Sequence, residues 1–243
     1  MTGVQTCALP IYCLTVANAE DTAAALAAAG HRVLPYTGRT DLPERLAAEQ
    51  ALLANEVKAL VATSALGMGF DKPDLGFVVH LGAPSSPVTY YQQVGRAGRA
   101  TEAADVLLLP GREDQEIWRY FATNAMPTRQ RAASVLDALA ASDVPLTVPA
   151  LESRVELRRG ALELLLKVLA VDGAVENRTG GWAATGAEWT YDEERYSRIA
   201  AARVAEQQAM LEYENLGHAR CRMEFLTAAL DDPHSRPCGH CDT

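Results

Sequence analysis

The sequence predicts an α/β first half built on a parallel sheet, followed by a mainly helical second half, and three observations lead there. Short runs rich in Val and Leu at residues 12–16, 32–36, 57–63, 76–81 and 104–109 have the length and composition of strands. They alternate with helical stretches, notably 17–29 and 41–54. Strand, helix and strand in succession imply parallel strands joined by crossover helices. The runs read as buried on both faces, which leaves the strand ends, where Thr63 and Gly67 stand, to carry functional loops. The Ala-rich segment 17–29 reads as a packed helix, with Glu20 and Asp21 suiting its N-terminus and Gly30 its stop.

Past about Asn124 the pattern changes. Met126-Pro127-Thr128 reads as a linker and cap, followed by a helix through Ala141 and a turn at 142–146. Helical periodicity resumes at 148–155 and 158–169, then gives way to a hairpin pattern from Gly173 to Trp182. Three helices and a β-ribbon suggest a winged helix that presents Arg154, Arg158 and Arg159, with Arg178 at the wing, as a duplex-binding face. A purely structural helical packing module is the other reading, and both stand at this point. Residues 192–230 read as two further helices separated near Gly217-His218. Trp182, Trp189 and Tyr191 cluster between these regions, where packing at a junction is the favoured reading and base stacking the alternative.

With 243 residues, 49% hydrophobic and 22% charged, the chain has enough apolar surface for the cores of one or two soluble globular domains. No run approaches the length of a membrane span. A net charge of -9 argues against a protein that coats nucleic acid by phosphate neutralisation alone, and leaves room for a local groove. Five unevenly spaced cysteines do not form a secreted disulfide framework and fit a reducing cytoplasm. Cys13 reads as a buried, inert thiol. Cys238-Gly239-His240-Cys241 is a C-x-x-C knuckle that, with Cys221 upstream on a helix, supplies three thiolates for a structural zinc ion. Three ligands leave a tetrahedral site incomplete, and His218, His234 or His240 could supply the fourth. A redox C-x-x-C would need a βαβ context that is lacking here.

Two blocks carry the functional signal. The first runs Ala62-Thr63-Ser64-Ala65-Leu66-Gly67-Met68-Gly69-Phe70-Asp71-Lys72-Pro73-Asp74, and the second Gln92-Gln93-Val94-Gly95-Arg96-Ala97-Gly98-Arg99. Arginines on glycine-flanked backbone can be aimed into a cleft where guanidinium groups meet the charge developing on a transferred phosphate. With both blocks at this interval, residues 12–121 resemble the second RecA-like domain of superfamily 2 helicases, in particular the RecQ DNA helicases. The resemblance implies that Thr63, Ser64 and the loop of Gly67, Gly69 and Asp71 touch the nucleic-acid backbone and, with Gly95, couple it to nucleotide. It places Gln92, Arg96 and Arg99 in the arginine-finger element. Tyr36-Thr37-Gly38 stands where the family has a Tyr-His-Ala-Gly turn, so Tyr36 and Gly38 are expected at DNA, with the His-to-Thr departure removing one side chain.

No Gly-x-x-x-x-Gly-Lys-Ser/Thr loop and no Asp-Glu-x-His quartet occurs in the sequence. The resemblance assigns ATP and magnesium mainly to an N-terminal RecA-like domain, a partner in catalysis without which this chain is expected to be inactive. Residues 1–11 resemble a translated sequencing adaptor and are set aside from the fold. The expected organisation is a second RecA-like domain (P-loop NTPase-like, lacking the P-loop half) at 12–124, a winged-helix-like module at 125–189, and a RecQ-type helical zinc module at 190–243. In the family the zinc knuckle continues to a fourth cysteine, which would fall one residue past Thr243, so truncation at both ends is expected. A winged helix before the cysteines departs from the usual RecQ order. The function implied is the C-terminal portion of a cytoplasmic ATP-dependent 3′-to-5′ DNA helicase of recombination and repair, with single-stranded DNA in its groove and duplex at the winged helix. The alternative is a non-catalytic DNA-binding regulator.

Overall fold

The computed structural model describes residues 9–66, 71–125, 127–218 and 220–242. The chain divides into two units, Met1–Ile117 with Glu206–Thr243, and Trp118–Ala205.

The first unit opens with β1 (Leu9–Cys13), α1 (Val16–Ala28), β2 (Val33–Tyr36), α2 (Leu42–Leu53) and β3 (Ala59–Ala62). It continues with β4 (Phe77–Leu81), α3 (Pro87–Val94), β5 (Asp105–Leu109) and α4 (Asp114–Ala125), which runs on past its boundary. The five strands form one sheet in the order β2-β3-β1-β4-β5, with every pairing parallel, as the alternating pattern predicts. β1 is its centre and begins at Leu9, earlier than the predicted residue 12. Leu9, Pro10 and Ile11, set aside in the sequence, are therefore part of the sheet, in register with Ala59, Leu60 and Val61.

Register decides which side chains share a face. Cys13 and Val61 pack with Ala19 and Ala23 of α1 on one side. Tyr12 lies opposite His80, and Tyr36 opposite Ala62, on the other. Helix α1 starts at its Thr15 cap, whose hydroxyl accepts from the Asn18 amide at 3.1 Å. Glu20 and Asp21 consequently sit beyond the first turn, where they do not serve the helix dipole as predicted. Gly30, at a φ of 88°, ends the helix as read from sequence. β3 is buried throughout, whereas Val106, Leu107 and Leu109 of the edge strand β5 are exposed. Burial on both faces therefore holds for the central strands and fails at this edge.

The second unit contains α5 (Arg129–Ala140), α6 (Val148–Glu152), α7 (Arg159–Val171) and an antiparallel hairpin of β6 (Val175–Arg178) and β7 (Gly181–Ala184). Thr128 caps α5 and Thr147 caps α6 through their hydroxyls. Leu162, Leu165, Leu166 and Leu169 form the buried stripe of α7 and meet Ala132, Val135 and Leu139 of α5. Leu146 bridges to Trp182, adding a third short backbone pairing to the hairpin. Asp172, just past α7, accepts from Trp189 Nε1 at 3.3 Å, Arg195 Nη1 at 2.7 Å and Tyr196 Oη at 2.8 Å. These donors hold its carboxyl below the usual range against the opposing effect of burial. Trp189 and Tyr191 pack edge to face beside this clasp, in keeping with the packing reading.

Helix α8 (Glu193–Glu214) belongs to the second unit at its start and to the first at its end, and a break at Gly217-His218 leads into α9 (Arg222–Ala228). No helix among the described residues is long and apolar enough to cross a membrane.

Candidate functional site

The two sequence blocks meet in the first unit. β3 delivers Thr63 at its C-terminal end, where the Thr63 amide donates to the Tyr36 carbonyl and its hydroxyl accepts from the Ala65 amide at 3.4 Å. Thr63 itself is buried, and Ser64 beside it is exposed. Gly67 and Gly69 lie outside the described residues. Asp71, which follows them, forms an ion pair with Arg99 of the second block, Nη1 to Oδ1 at 2.8 Å. Arg99 Nε also donates to the Gly95 carbonyl at 3.2 Å. Both charged side chains are about half exposed, so the pair orients the guanidinium without removing it from water.

The backbone of the second block is laced to the first. The Gly98 amide donates to the Leu75 carbonyl at 3.0 Å and the Ala100 amide to the Pro73 carbonyl at 2.9 Å. Gly98 takes a φ of 75°, which glycine adopts without strain. Between them the buried Lys72 ammonium pairs with Asp74 at 2.7 Å and draws its carboxyl below the usual range. Gly95 closes α3, where an added methyl would stand 3.0 Å from the Tyr91 carbonyl oxygen.

Arg96 is placed differently from Arg99. It reaches toward the Tyr12 hydroxyl, where its charge favours the phenolate, but burial dominates and lifts that pKa to about 12. Gln92 is exposed. Its neighbour Gln93 is buried, and its Oε1 lies 2.8 Å from Nε2 of His80. His80 is buried in β4, stacked on Tyr12 with ring centres 5.0 Å apart and tilted against Tyr90 at 4.9 Å. Desolvation drops its pKa to about 4, so it is a neutral imidazole at ordinary pH. Sequence reasoning missed this pair. The available signal was a lone imidazole in the apolar run Val78-Val79-His80-Leu81, thirteen residues before a glutamine in the second block.

The turn at Tyr36 departs from expectation. Tyr36 is buried and its hydroxyl donates to Glu49 of α2, so its side chain is committed to the interior. Thr37 is buried too and bonded to Thr40, leaving Gly38 as the exposed residue of the turn. The Tyr36 and Thr37 side chains thus face inward, and the Gly38 backbone is the part of the turn open to solvent. In the second unit, Arg154 and Arg158 are exposed, while Arg159 pairs with Glu163 at 3.0 Å and Arg178 pairs with Glu176.

The cysteine cluster assembles as its spacing predicts. Cys221 caps α9, and its Sγ lies 3.5 Å from that of Cys238 and 3.4 Å from that of Cys241. All three sulfurs fall within 4.8 Å of one another, and among the described residues no histidine joins them. Sulfurs at the corners of a zinc tetrahedron stand about 3.8 Å apart, given a Zn–S bond of about 2.3 Å, so the set is compatible with three of four ligands. Amides of Glu224 and Cys238 donate to Cys221 Sγ, and that of His240 to Cys238 Sγ, a pattern that stabilises negative sulfur. His218 and His240 are exposed, and the His218 ring lies 3.3 Å from the Asp242 carbonyl oxygen.

Comparison with known proteins gives a family match within the first unit. Residues 7–101 match the family described as helicase conserved C-terminal domain. ATP-dependent DNA helicase Q1 of Rattus norvegicus is 39% identical over 101 residues, 42% of this chain and 16% of that protein. ATP-dependent helicase SGS1 of Saccharomyces cerevisiae is 40% identical over 89 residues, 37% of this chain and 6% of that protein. Among solved structures, the C-terminal domain of the DEAD-box protein Dbp5 aligns at 24% identity over 47% of this chain and 69% of that chain, with a TM-score of 0.40. The matched segment thus spans only a small part of the length of its curated relatives.

Proposed function

We propose, from the match of residues 7–101 to the helicase conserved C-terminal domain and the similarity to ATP-dependent DNA helicases, that this chain supplies the arginine-bearing half of a RecQ-like ATP-dependent 3′-to-5′ DNA helicase. ATP and magnesium are held by a partner RecA-like domain that carries the phosphate loop. Arg96 and Arg99 face the γ-phosphate from this side, where guanidinium groups stabilise the charge that spreads over the transferred phosphoryl oxygens. Thr63 and Ser64, with the Gly38 backbone, hold one DNA strand, and Gly67, Gly69 and Asp71 link that grip to the nucleotide.

The observation that carries this reading is the Asp71–Arg99 ion pair. It joins the block read as strand-contacting to the finger block. When the nucleotide arrives, the exposed Arg99 can exchange a carboxylate for a phosphate oxygen without a large desolvation cost.

The second unit is read as a winged helix that binds duplex. Support comes from charge: of the chain's 22 basic and 31 acidic residues, eleven of each lie in the second unit, so the whole excess of -9 resides in the first. A neutral unit with Arg154 and Arg158 exposed meets phosphates without the general repulsion that the acidic unit would impose. The cysteine cluster is read as a structural zinc site that fastens α9 to the segment 238–241, where the metal would fix the thiolates and supply folding energy.

The test joins this chain to a phosphate-loop RecA-like domain and measures DNA-stimulated ATP hydrolysis. Arg99→Ala is expected to lower turnover by about 10³ to 10⁵. An unchanged rate would remove the finger assignment.

A further inference from the structure

A column of rings runs through the first unit from the sheet to the cysteine cluster. Tyr12 of β1 stacks on His80 of β4, His80 meets Tyr90 of α3, and Tyr90 meets Tyr213 of α8 at 5.2 Å. Tyr213 in turn packs on Phe225 of α9 at 5.8 Å. All five rings are buried. At one end, Tyr12 is the residue toward which Arg96 reaches. At the other, the Arg222 guanidinium lies over the Tyr213 ring at 5.6 Å, donates to the Tyr213 carbonyl at 3.3 Å, and pairs with Asp242, the residue after Cys241.

Helix α3 links this arrangement to the second block, because its last turn continues directly into Gly95-Arg96. It is only eight residues long, and two of its side chains are fixed from opposite sides. Gln93 is bonded to His80 of the sheet, and Tyr90 is wedged between His80 and Tyr213. A short helix takes its orientation from packing rather than from its own hydrogen bonds. Its seat is therefore shared between the sheet and the helices that the cysteines fasten.

We propose that this column makes the Arg96 loop answer to the state of the Cys221–Cys238–Cys241 cluster, with Gln93, Tyr90 and Tyr213 as positioning residues. With metal on the thiolates, α9 and the Arg222–Asp242 pair hold Tyr213 against Tyr90, and α3 presents Arg96 in one position. With the cluster empty, Tyr213 loses that backing, and the last turn of α3 opens locally without unfolding the sheet. The role of Arg96 at phosphate rests on the function proposed above, whereas the coupling itself does not.

The experiment follows backbone hydrogen exchange at Gly95, Ala97 and Gly98, whose amides are all bonded to carbonyls and so report opening of this turn. The chain is loaded with cobalt(II), whose thiolate absorption reports occupancy, and then stripped with a chelator. Stripping is expected to speed exchange at these three amides by about tenfold or more, with the β3 amides unchanged. Tyr213→Leu is expected to keep the cobalt absorption and to exchange fast at the three amides in both states. Tyr213→Phe, which keeps the ring, is expected to behave as the parent chain, so a folding defect in the leucine variant does not decide the matter. The proposal is overturned if the three amides are indifferent to stripping, if Tyr213→Leu responds as the parent does, or if the chain takes up no cobalt. None of these readings involves ATP or DNA, so a failed Arg99→Ala test leaves this result standing, and the converse holds.

Discussion

Replacing His80 with phenylalanine should remove a large part of the acid sensitivity of the first unit. His80 is buried, its Nδ1 has no hydrogen-bond partner among the described residues, and the groups facing it, Tyr12, Tyr90 and Gln93, are uncharged between pH 4 and 8. Desolvation lowers its pKa from 6.5 to about 4. Above 6.5 the ring is neutral in folded and unfolded chains, and it contributes no pH dependence. Between 6.5 and about 4 the unfolded chain binds a proton that the folded chain refuses, so stability falls as pH falls, and below about 4 the loss is complete. That gap corresponds to roughly 3 kcal/mol in full and about 2 kcal/mol by pH 5. Urea unfolding, read from exchange protection of β3 at pH 7.5 and pH 5, should show the parent losing about 2 kcal/mol more than His80→Phe across that interval. Phenylalanine keeps the ring stack and strands Gln93, so its absolute stability will differ, but the comparison is between slopes. Equal slopes in the two proteins would refute the buried, neutral imidazole.

Three further perturbations probe other parts of the molecule. Leu166→Ala empties a fully buried position in α7 and should cost about 2 to 5 kcal/mol, seen as a lower urea midpoint in tryptophan fluorescence, since Trp118, Trp182 and Trp189 all lie in the second unit. Gly181→Ala would place a methyl 2.3 Å from the Leu146 carbonyl oxygen at a φ of 141°, so it should cost at least about 1 to 3 kcal/mol and abolish the near-ultraviolet dichroism of Trp182. Cys238→Ser should eliminate cobalt thiolate absorption and lower exchange protection in α9, while protection in α7 stays as it was.

Much of the architecture could be read from the chain because the signals were local. Val- and Leu-rich runs of strand length separated by helical stretches dictate parallel pairing, and Gly30, Thr128 and the Gly217-His218 break each act within a few residues of where they stand. What escaped depends on register and on distance. Leu9 to Ile11 resembled an appended peptide, and their place at the centre of the sheet becomes visible only once β3 and β4 flank them. The buried Tyr36 side chain has the same origin, since its inward direction follows from facing Ala62 across the pleat and from Glu49 standing within reach. At the candidate site the residue types were legible, and the proximity of the three cysteines followed from their spacing. The division of labour between Arg96, drawn toward Tyr12, and Arg99, tethered by Asp71, was not, because both partners come from other segments.

Strand β5 closes one side of the sheet with no neighbour beyond it among the described residues, and it shows Val106, Leu107 and Leu109 to solvent. Its outward peptide groups offer a ready template for any extended segment, and within the strand only Asp105 bears a charge to discourage one. Handled in isolation and at high concentration, the polypeptide should accordingly stick to itself along this border, and a lysine at Leu107 is the simplest means of keeping it monodisperse.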